Sequence, residues 1–298
     1  MLSKQFPNLD WVRRLRNDAT DTAAPKWNNI ALNVKCREAY RTGVESPYSL
    51  FMNVSGHSYC KVNSRHYKVE TDSFLFTRPG DQYDLVIDNL QQTETFNIHI
   101  NKDFFNEVAR DITTPQAQLL DGTATSPAQP WLFTQLYGKD EVLTGYTQLL
   151  AQAKDKTQFD ITLANMTAHL LKTDEQTQRQ IAALPALNAT VRAELYSRLI
   201  LAKDIIHSHY DREPDLDELC RETAMSKFHF LRMFKAVYGL TPYQYLVKVR
   251  MDKARVLLKH TTLPVSAIST ELGFEYPNSF IKAFHKAYGV SPLQWRKT

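Results

Sequence analysis

The sequence predicts an α+β protein in two parts. An N-terminal β-barrel or jelly roll with following helices comes first, then a C-terminal all-α domain with two helix-turn-helix motifs joined by a linker helix. Three observations predict it. Seven short alternating runs separated by turn signals fill residues 30–100, a spacing that suits a barrel or sandwich. Apolar residues between 140 and 171 recur at three, four and seven positions, the period of a helix. Near the end of the chain, residues 226–245 return fifty positions later as 276–295, and a duplicated helical module implies a duplicated contact.

The strand runs are 30–36, 48–54, 58–62, 66–69, 73–77, 83–87 and 93–100, broken at Ser55-Gly56, Asn63-Ser64, Pro79-Gly80 and Asp88-Asn89. A barrel of this kind encloses a small ligand. The aromatic residues Phe51, Tyr59, Phe74, Phe76, Tyr83 and Phe96 are the candidate lining, though each also suits plain core. His57, His66 and His99 are scattered without ligand spacing, so no metal or other cofactor is expected. The three cysteines, Cys36, Cys60 and Cys220, are odd in number and widely separated, which fits reduced thiols in the cytoplasm. No run of 18 apolar residues and no charged-then-apolar leader stands in the sequence, so neither a membrane span nor secretion is expected.

Residues 113–130, with Thr-Pro, Asp-Gly, Ser-Pro and Gln-Pro pairs, read as a long surface loop or crossover. Helices are expected at 140–154 and 160–171. They carry Leu143, Tyr146, Leu149, Leu150, Leu163, Met166, Leu170 and Leu171, a face that packs within one monomer or between two copies. The polar stretch around Pro185 reads as a linker. At 298 residues two domains are the prior, placed at 1–175 and 191–298 with 176–190 between them.

In the repeat, Phe230, Phe234 and Tyr238 recur as Phe280, Phe284 and Tyr288, one face of a helix in each copy. Gly239 and Gly289 follow, where helices end in a left-handed residue. Thr241-Pro242 and Ser291-Pro292 then supply an N-cap and a first-turn proline. A short amphipathic stretch precedes each copy, with a tight turn at Ala224 or Gly273. Short helix, turn and longer helix make a helix-turn-helix, present twice.

Residues 242–259 read as one helix between the copies. Tyr245, Leu246, Val249, Ala254, Leu257 and Leu258 form its apolar face, with Lys248, Arg250, Lys253, Arg255 and Lys259 on the rest. Its length of about 27 Å, with flanking turns, suits two reading helices about one DNA turn apart. Residues 226–298 hold 12 Lys or Arg against 3 Asp or Glu, while residues 1–189 hold 19 against 21. The basic excess is confined to the repeat, the footprint expected of a phosphate-binding surface.

The stretch from Ser226 to Lys235, Tyr238-Gly239, Thr241-Pro242, Arg250, Glu271 to Phe274, and Tyr288-Gly289 to Trp295 resemble the DNA-binding domain of the AraC family of bacterial transcription regulators. The resemblance covers about residues 195–298. It implies seven helices, the first at 195–210, with recognition helices at 226–238 and 277–288. Double-stranded DNA is the implied partner, with RNA polymerase and a second copy of the chain as further ones. The groove-facing residues are then Lys227, Phe228, Leu231, Arg232 and Lys235 in the first copy, and Pro277, Asn278, Ile281, Lys282 and His285 in the second. Arg232 suits guanine, Asn278 adenine, and Phe228 or Leu231 thymine methyls, while Lys235 and His285 suit phosphate. Leu231 and Ile281 are apolar where polar readers are expected. The order of turns and strands in the first part resembles the cupin-like sensor domain of many such regulators, but a cupin metal set is missing, with Ser46 to Ser49 and Tyr83 at the matching places.

Three functions fit these residues. They are a transcription regulator with a small-molecule effector in the barrel, a DNA-binding protein whose barrel contacts another protein, and a cupin-type enzyme carrying a DNA-binding module. The third lacks a metal triad, a nucleophile–base pair and a phosphate-cradling loop, so the chain is read as no enzyme.

Overall fold

A computed structural model of the chain describes residues 1–15, 26–113, 132–185 and 188–297. They divide into two compact units, Met1–Gln178 and Arg179–Thr298. The loop expected at 113–130 lies, from 114 on, outside the described residues. No helix among the described residues is long and apolar enough to cross a membrane.

An eight-stranded sheet organises the first unit. Its strands are β1 (Leu2–Ser3), β2 (Ile30–Glu45), β3 (Tyr48–Ser55), β4 (Ser58–Val62), β5 (Arg65–Val69), β6 (Ser73–Thr77), β7 (Gln82–Ile100) and β8 (Gln135–Gly138). The order is β1-β2-β7-β3-β6-β8, with β4 pairing both β5 and β7. Among the described strands, only β1 and β2 run parallel.

Two strands outrun their sequence patterns. β7 passes straight through Asp88-Asn89 and joins the runs expected at 83–87 and 93–100. β2 continues past Cys36 to Glu45. They pair along most of their length, with register shifts between Cys36 and Glu38 and between Arg41 and Val44. Bulges absorb the extra residues and bend the ribbon. One half of β7 then pairs with β3 and the other with β4.

Helices α1 (Leu9–Val12), α2 (Lys102–Thr113), α3 (Glu141–Gln152) and α4 (Lys156–Ala182) accompany the sheet. Strand alternation sorts its side chains into two cores. Leu50, Met52, Phe74, Phe76, Phe96, Ile98 and Ile100 pack against Phe105 of α2, Leu143 and Leu150 of α3, and Phe159, Leu163 and Met166 of α4. Phe51, Leu75, Tyr83, Leu85, Cys60, Val62 and Tyr67 point the other way, toward Val12, Leu15 and Trp27. Each such large apolar side chain contributes about 1.5–3 kcal/mol on burial.

Leu143, Leu150, Leu163, Met166, Leu170 and Leu171 are thus occupied inside the unit, while Leu149 is half exposed. Asp140 holds the pair of helices together, accepting from the Leu143 backbone N–H at 2.7 Å and lying 2.8 Å from His169 Nε2. The linker expected at 176–190 is helical through Ala182. The residues from Lys172 to Ala182 include no glycine or proline, and Gln and Arg sustain a helix well, while Thr177 and Ile181 are buried.

The second unit contains α5 (Ala189–Ser208), α6 (Leu216–Thr223), α7 (Lys227–Tyr238), α8 (Pro242–His260), α9 (Val265–Glu271), α10 (Pro277–Tyr288) and α11 (Pro292–Arg296). Phe230, Phe234, Phe280 and Phe284 have no exposed surface. The aromatic geometry repeats as closely as the sequence. Phe234–Tyr238 and Phe284–Tyr288 centroids are 4.6 and 4.7 Å apart, and Tyr238–Tyr245 and Tyr288–Trp295 are 5.4 and 5.2 Å apart. Thr241 with Gln244, and Ser291 with Gln294, form reciprocal capping boxes that start α8 and α11. That is the physical reason both copies keep glutamine three residues after the cap.

Candidate nucleic-acid interface and buried cavity

Each reading helix is aimed by the turn before it. Ala224 ends α6 with φ 51°, and Gly273 follows α9 with φ 72°. In both turns the next residue donates back across the helix end: Met225 N–H to the Cys220 carbonyl, and Phe274 N–H to that of Ser269, each 3.0 Å. This is the left-handed helix stop. Gly273 has no alternative, because a Cβ there would lie 1.9 Å from the Asp211 carbonyl oxygen.

With Phe230, Met233, Phe234 and Val237 buried, α7 turns Lys227, Phe228, Leu231, Arg232 and Lys235 to solvent. In α10, burial of Phe280 and Phe284 likewise exposes Pro277, Asn278, Ile281, Lys282 and His285. The structure brings all ten expected residues onto two equivalent faces. Phe228 is 78% exposed, too much for an aromatic ring that serves the core. Leu231 and Ile281 are each 37% exposed, matching positions in matching surroundings. Arg232, Lys235 and Lys282 make no ion pair among the described residues.

Lys227 differs from them. Its Nζ lies 2.7 Å from Asp217 Oδ1 of α6, and that hydrogen bond raises the ammonium pKa above its ordinary value. The first turn of α7 therefore presents a paired charge.

Of the cations expected on the outer side of α8, Lys248, Arg255 and Lys259 are exposed. Arg250 and Lys253 are buried instead. Arg250 Nε donates to the Tyr210 carbonyl at 2.7 Å, and the guanidinium lies 5.1 Å from the Phe274 ring centre. Burial lowers its pKa. Lys253 Nζ sits 4.6 Å over the Tyr210 ring. Nearby, His207 Nε2 meets Tyr245 Oη at 3.1 Å, and burial drives the histidine pKa well below its usual value. Sequence spacing alone gives no sign of these inward charges, since α8 is basic on several sides.

The first unit holds a cavity of about 290 Å³ on the inner side of the sheet. Of the expected lining residues, Phe51 and Tyr83 are there. Phe74, Phe76 and Phe96 are not. Strand alternation turns them to the opposite face, under the helices. Tyr59 points outward and is 46% exposed. Residues the aromatic pattern overlooked complete the wall, among them Trp11, Trp27, Arg41, Leu85 and His99. His99 is buried and held neutral, its pKa lowered to about 3 by burial. Its Nδ1 lies 2.8 Å from Ser49 Oγ. Burial also raises the Cys60 and Tyr83 pKa values, so neither supplies an anion. Among the described residues, no three His, Cys, Asp or Glu side chains are placed to hold a metal ion.

A family model described as a helix-turn-helix domain matches residues 219–298. The chain is similar to RhaR, an HTH-type transcriptional activator of Salmonella schwarzengrund, with 34% identity over 151 residues, 50% of this chain and 52% of the relative. It is similar to RhaR of Salmonella choleraesuis with 27% identity over 256 residues, 83% of each chain. Among solved structures it is similar to the DNA-binding domain of AdpA in complex with a target DNA, at 26% identity. That match covers 34% of this chain and 90% of the other, with a TM-score of 0.32. The chain spans about half the length of most of the RhaR relatives it matches. These relatives are named as transcription regulators, not as enzymes.

Proposed function

We propose that the whole protein is a sequence-specific DNA-binding regulator of transcription of the AraC type that its repeat resembles, a reading supported by the match of residues 219–298 to a helix-turn-helix domain. The observation that carries this reading is the pair of equivalent exposed faces on α7 and α10, each held by the same buried aromatic frame. They read two successive major-groove segments of double-stranded DNA. Arg232 suits bidentate contact with guanine, Asn278 suits adenine, and Phe228, Leu231 and Ile281 meet thymine methyls. Lys235 and His285 contact phosphate, with Lys282 at the place of Arg232 in the second copy. The two faces carry different side chains, so the site is asymmetric and one monomer spans it.

The inner cavity supports control by a small-molecule effector, over a barrel filled by its own side chains and used for protein contact. Val142, Leu149 and Ile161, apolar and exposed, suit a second copy of the chain, and RNA polymerase is the further partner of an activator. The test is selection of bound fragments from genomic DNA, followed by affinity measurements for Arg232→Ala and Lys282→Ala. Each change weakens specific binding by about 1–3 kcal/mol and relaxes preference at one position. Unchanged affinity and preference in both variants would overturn the assignment.

A further inference from the structure

The cavity wall carries one charged side chain, Arg41. In the ribbon of β2 and β7, Arg41 pairs with Leu85, and Leu85 pairs with Cys60 of β4, which pairs with Tyr67 of β5. Leu85, Cys60 and Tyr67 belong to the inner core. Arg41 thus starts a row of side chains directed into the barrel, and the bulge between Arg41 and Val44 leaves it at the cavity edge. A guanidinium at a cavity wall is well matched to a carboxylate, whose two oxygens fit its planar fork. Arg41 has none among the described residues. Its Nη1 donates to the Tyr40 carbonyl at 2.9 Å, its plane lies 4.7 Å from the Phe6 ring centre, and its Nε is buried with no partner.

Trp27, 4% exposed, lines the same cavity with its ring, while its indole Nε1 has no accessible surface and no hydrogen-bond partner among the described residues. Several acceptors of the other polar lining groups are already taken. Asn97 Oδ1 accepts from Thr95, Asn29 Oδ1 accepts from the Asn101 backbone N–H, and His99 Nδ1 is taken by Ser49. What remains is a largely apolar, aromatic space whose one charged side chain is a cation.

We infer that the cavity takes a small apolar monocarboxylate, its ring or chain against Phe51, Tyr83 and Trp11 and its carboxylate on Arg41. A cavity of about 150 Å³ holds benzene, so this one accepts about two fused rings or a chain of similar bulk. A carboxylate meets guanidinium through two parallel charge-assisted hydrogen bonds, which a hydroxyl does not. A polyhydroxylated sugar fits this wall less well, because many of its hydroxyls would face Phe51, Tyr83, Trp11 and Leu85. The inference rests on reading the cavity as an effector site, and it adds the chemical class.

The test uses the full chain and 2-naphthoate as probe, followed by calorimetry and by tryptophan fluorescence. Its methyl ester and a monosaccharide are the controls. The expected result is saturable binding of 2-naphthoate, at least tenfold weaker binding of the ester, and no binding of the sugar. Arg41→Gln lowers naphthoate affinity at least tenfold and leaves ester affinity unchanged. Arg41→Lys retains part of it, which separates loss of the charge from loss of the fold. Equal binding of acid and ester, an unaffected Arg41→Gln, or preferential binding of the sugar overturns the inference. DNA binding by the same samples is measured in parallel. Specific DNA binding without naphthoate binding defeats the ligand class alone, whereas loss of specific DNA binding by the wild-type chain defeats the regulator reading.

Discussion

Arg250 Nε donates a 2.7 Å hydrogen bond to the carbonyl of Tyr210, just beyond α5. The same guanidinium faces the ring of Phe274 and lies against Gly273, whose added Cβ would come within 2.7 Å of Nη2. One side chain of α8 therefore braces both the end of α5 and the turn that aims α10.

Removing that brace is costly. Arg250→Ala leaves a buried carbonyl without its donor and a void beside Phe274, a loss of about 2–4 kcal/mol. Urea unfolding of the C-terminal unit, followed by circular dichroism, reads the shift. Arg250→Lys restores little, because a single ammonium does not reproduce the planar fork. A midpoint unchanged in both variants contradicts the bracing role.

The two turns respond oppositely to exchange of glycine and alanine. Gly273→Ala meets the Asp211 carbonyl and destabilises by at least about 2 kcal/mol. Ala224→Gly relieves a left-handed alanine and is neutral or stabilising by up to about 1 kcal/mol. Paired thermal melts decide the matter, and equal effects at the two sites would contradict this geometry.

Asp217→Asn releases Lys227 from its 2.7 Å partner and removes a negative charge beside α7. DNA affinity rises a few-fold, and the dependence of log affinity on log salt steepens by about one ion. Titrations at several salt concentrations measure both. A flat response places Lys227 away from phosphate.

Acid weakens the fold through His99, which is buried, and His207, which is part-buried among Lys203, Lys248 and Lys253, both held neutral. The unfolded chain takes up a proton at each near pH 6.5, whereas the folded protein holds His99 neutral down to about 3 and His207 neutral well below 6.5. Their contribution is complete above about pH 6.5 and is lost as pH falls through the window below it, by up to about 1.4 kcal/mol per pH unit for each. Stability measured from pH 7.5 to 4.5 falls accordingly, and His207→Asn flattens part of the slope. A wild-type profile flat over that range contradicts it.

Much of the second unit was legible because its repeat is written in large, evenly spaced residues. Phe230, Phe234, Phe280 and Phe284 mark the buried faces, and the ten exposed positions follow by helical geometry. Arg250 and Lys253 were not legible, since a charge on a basic helix gives no sign that it turns inward. In the first unit, period two separates Phe51 from Phe74, Phe76 and Phe96 but does not say which face is the interior when helices cover the other. Polar residues from Glu38 to Glu45 hid the second half of β2, and Asp88-Asn89 looks like a turn because a bulge uses the same residues. Arg41 is hard to read for a related reason: an aromatic pattern marks walls, and the informative residue is the one charged side chain among them.

The most direct measurement of the central claim is a hydroxyl-radical and methylation-interference footprint of the full chain on a selected genomic fragment. Two protected major-groove segments about 10 base pairs apart on one DNA face are expected. Arg232→Ala should abolish protection at one segment and Lys282→Ala at the other. A single protected segment, or protection that both variants leave unchanged, would contradict a chain that reads DNA with both α7 and α10.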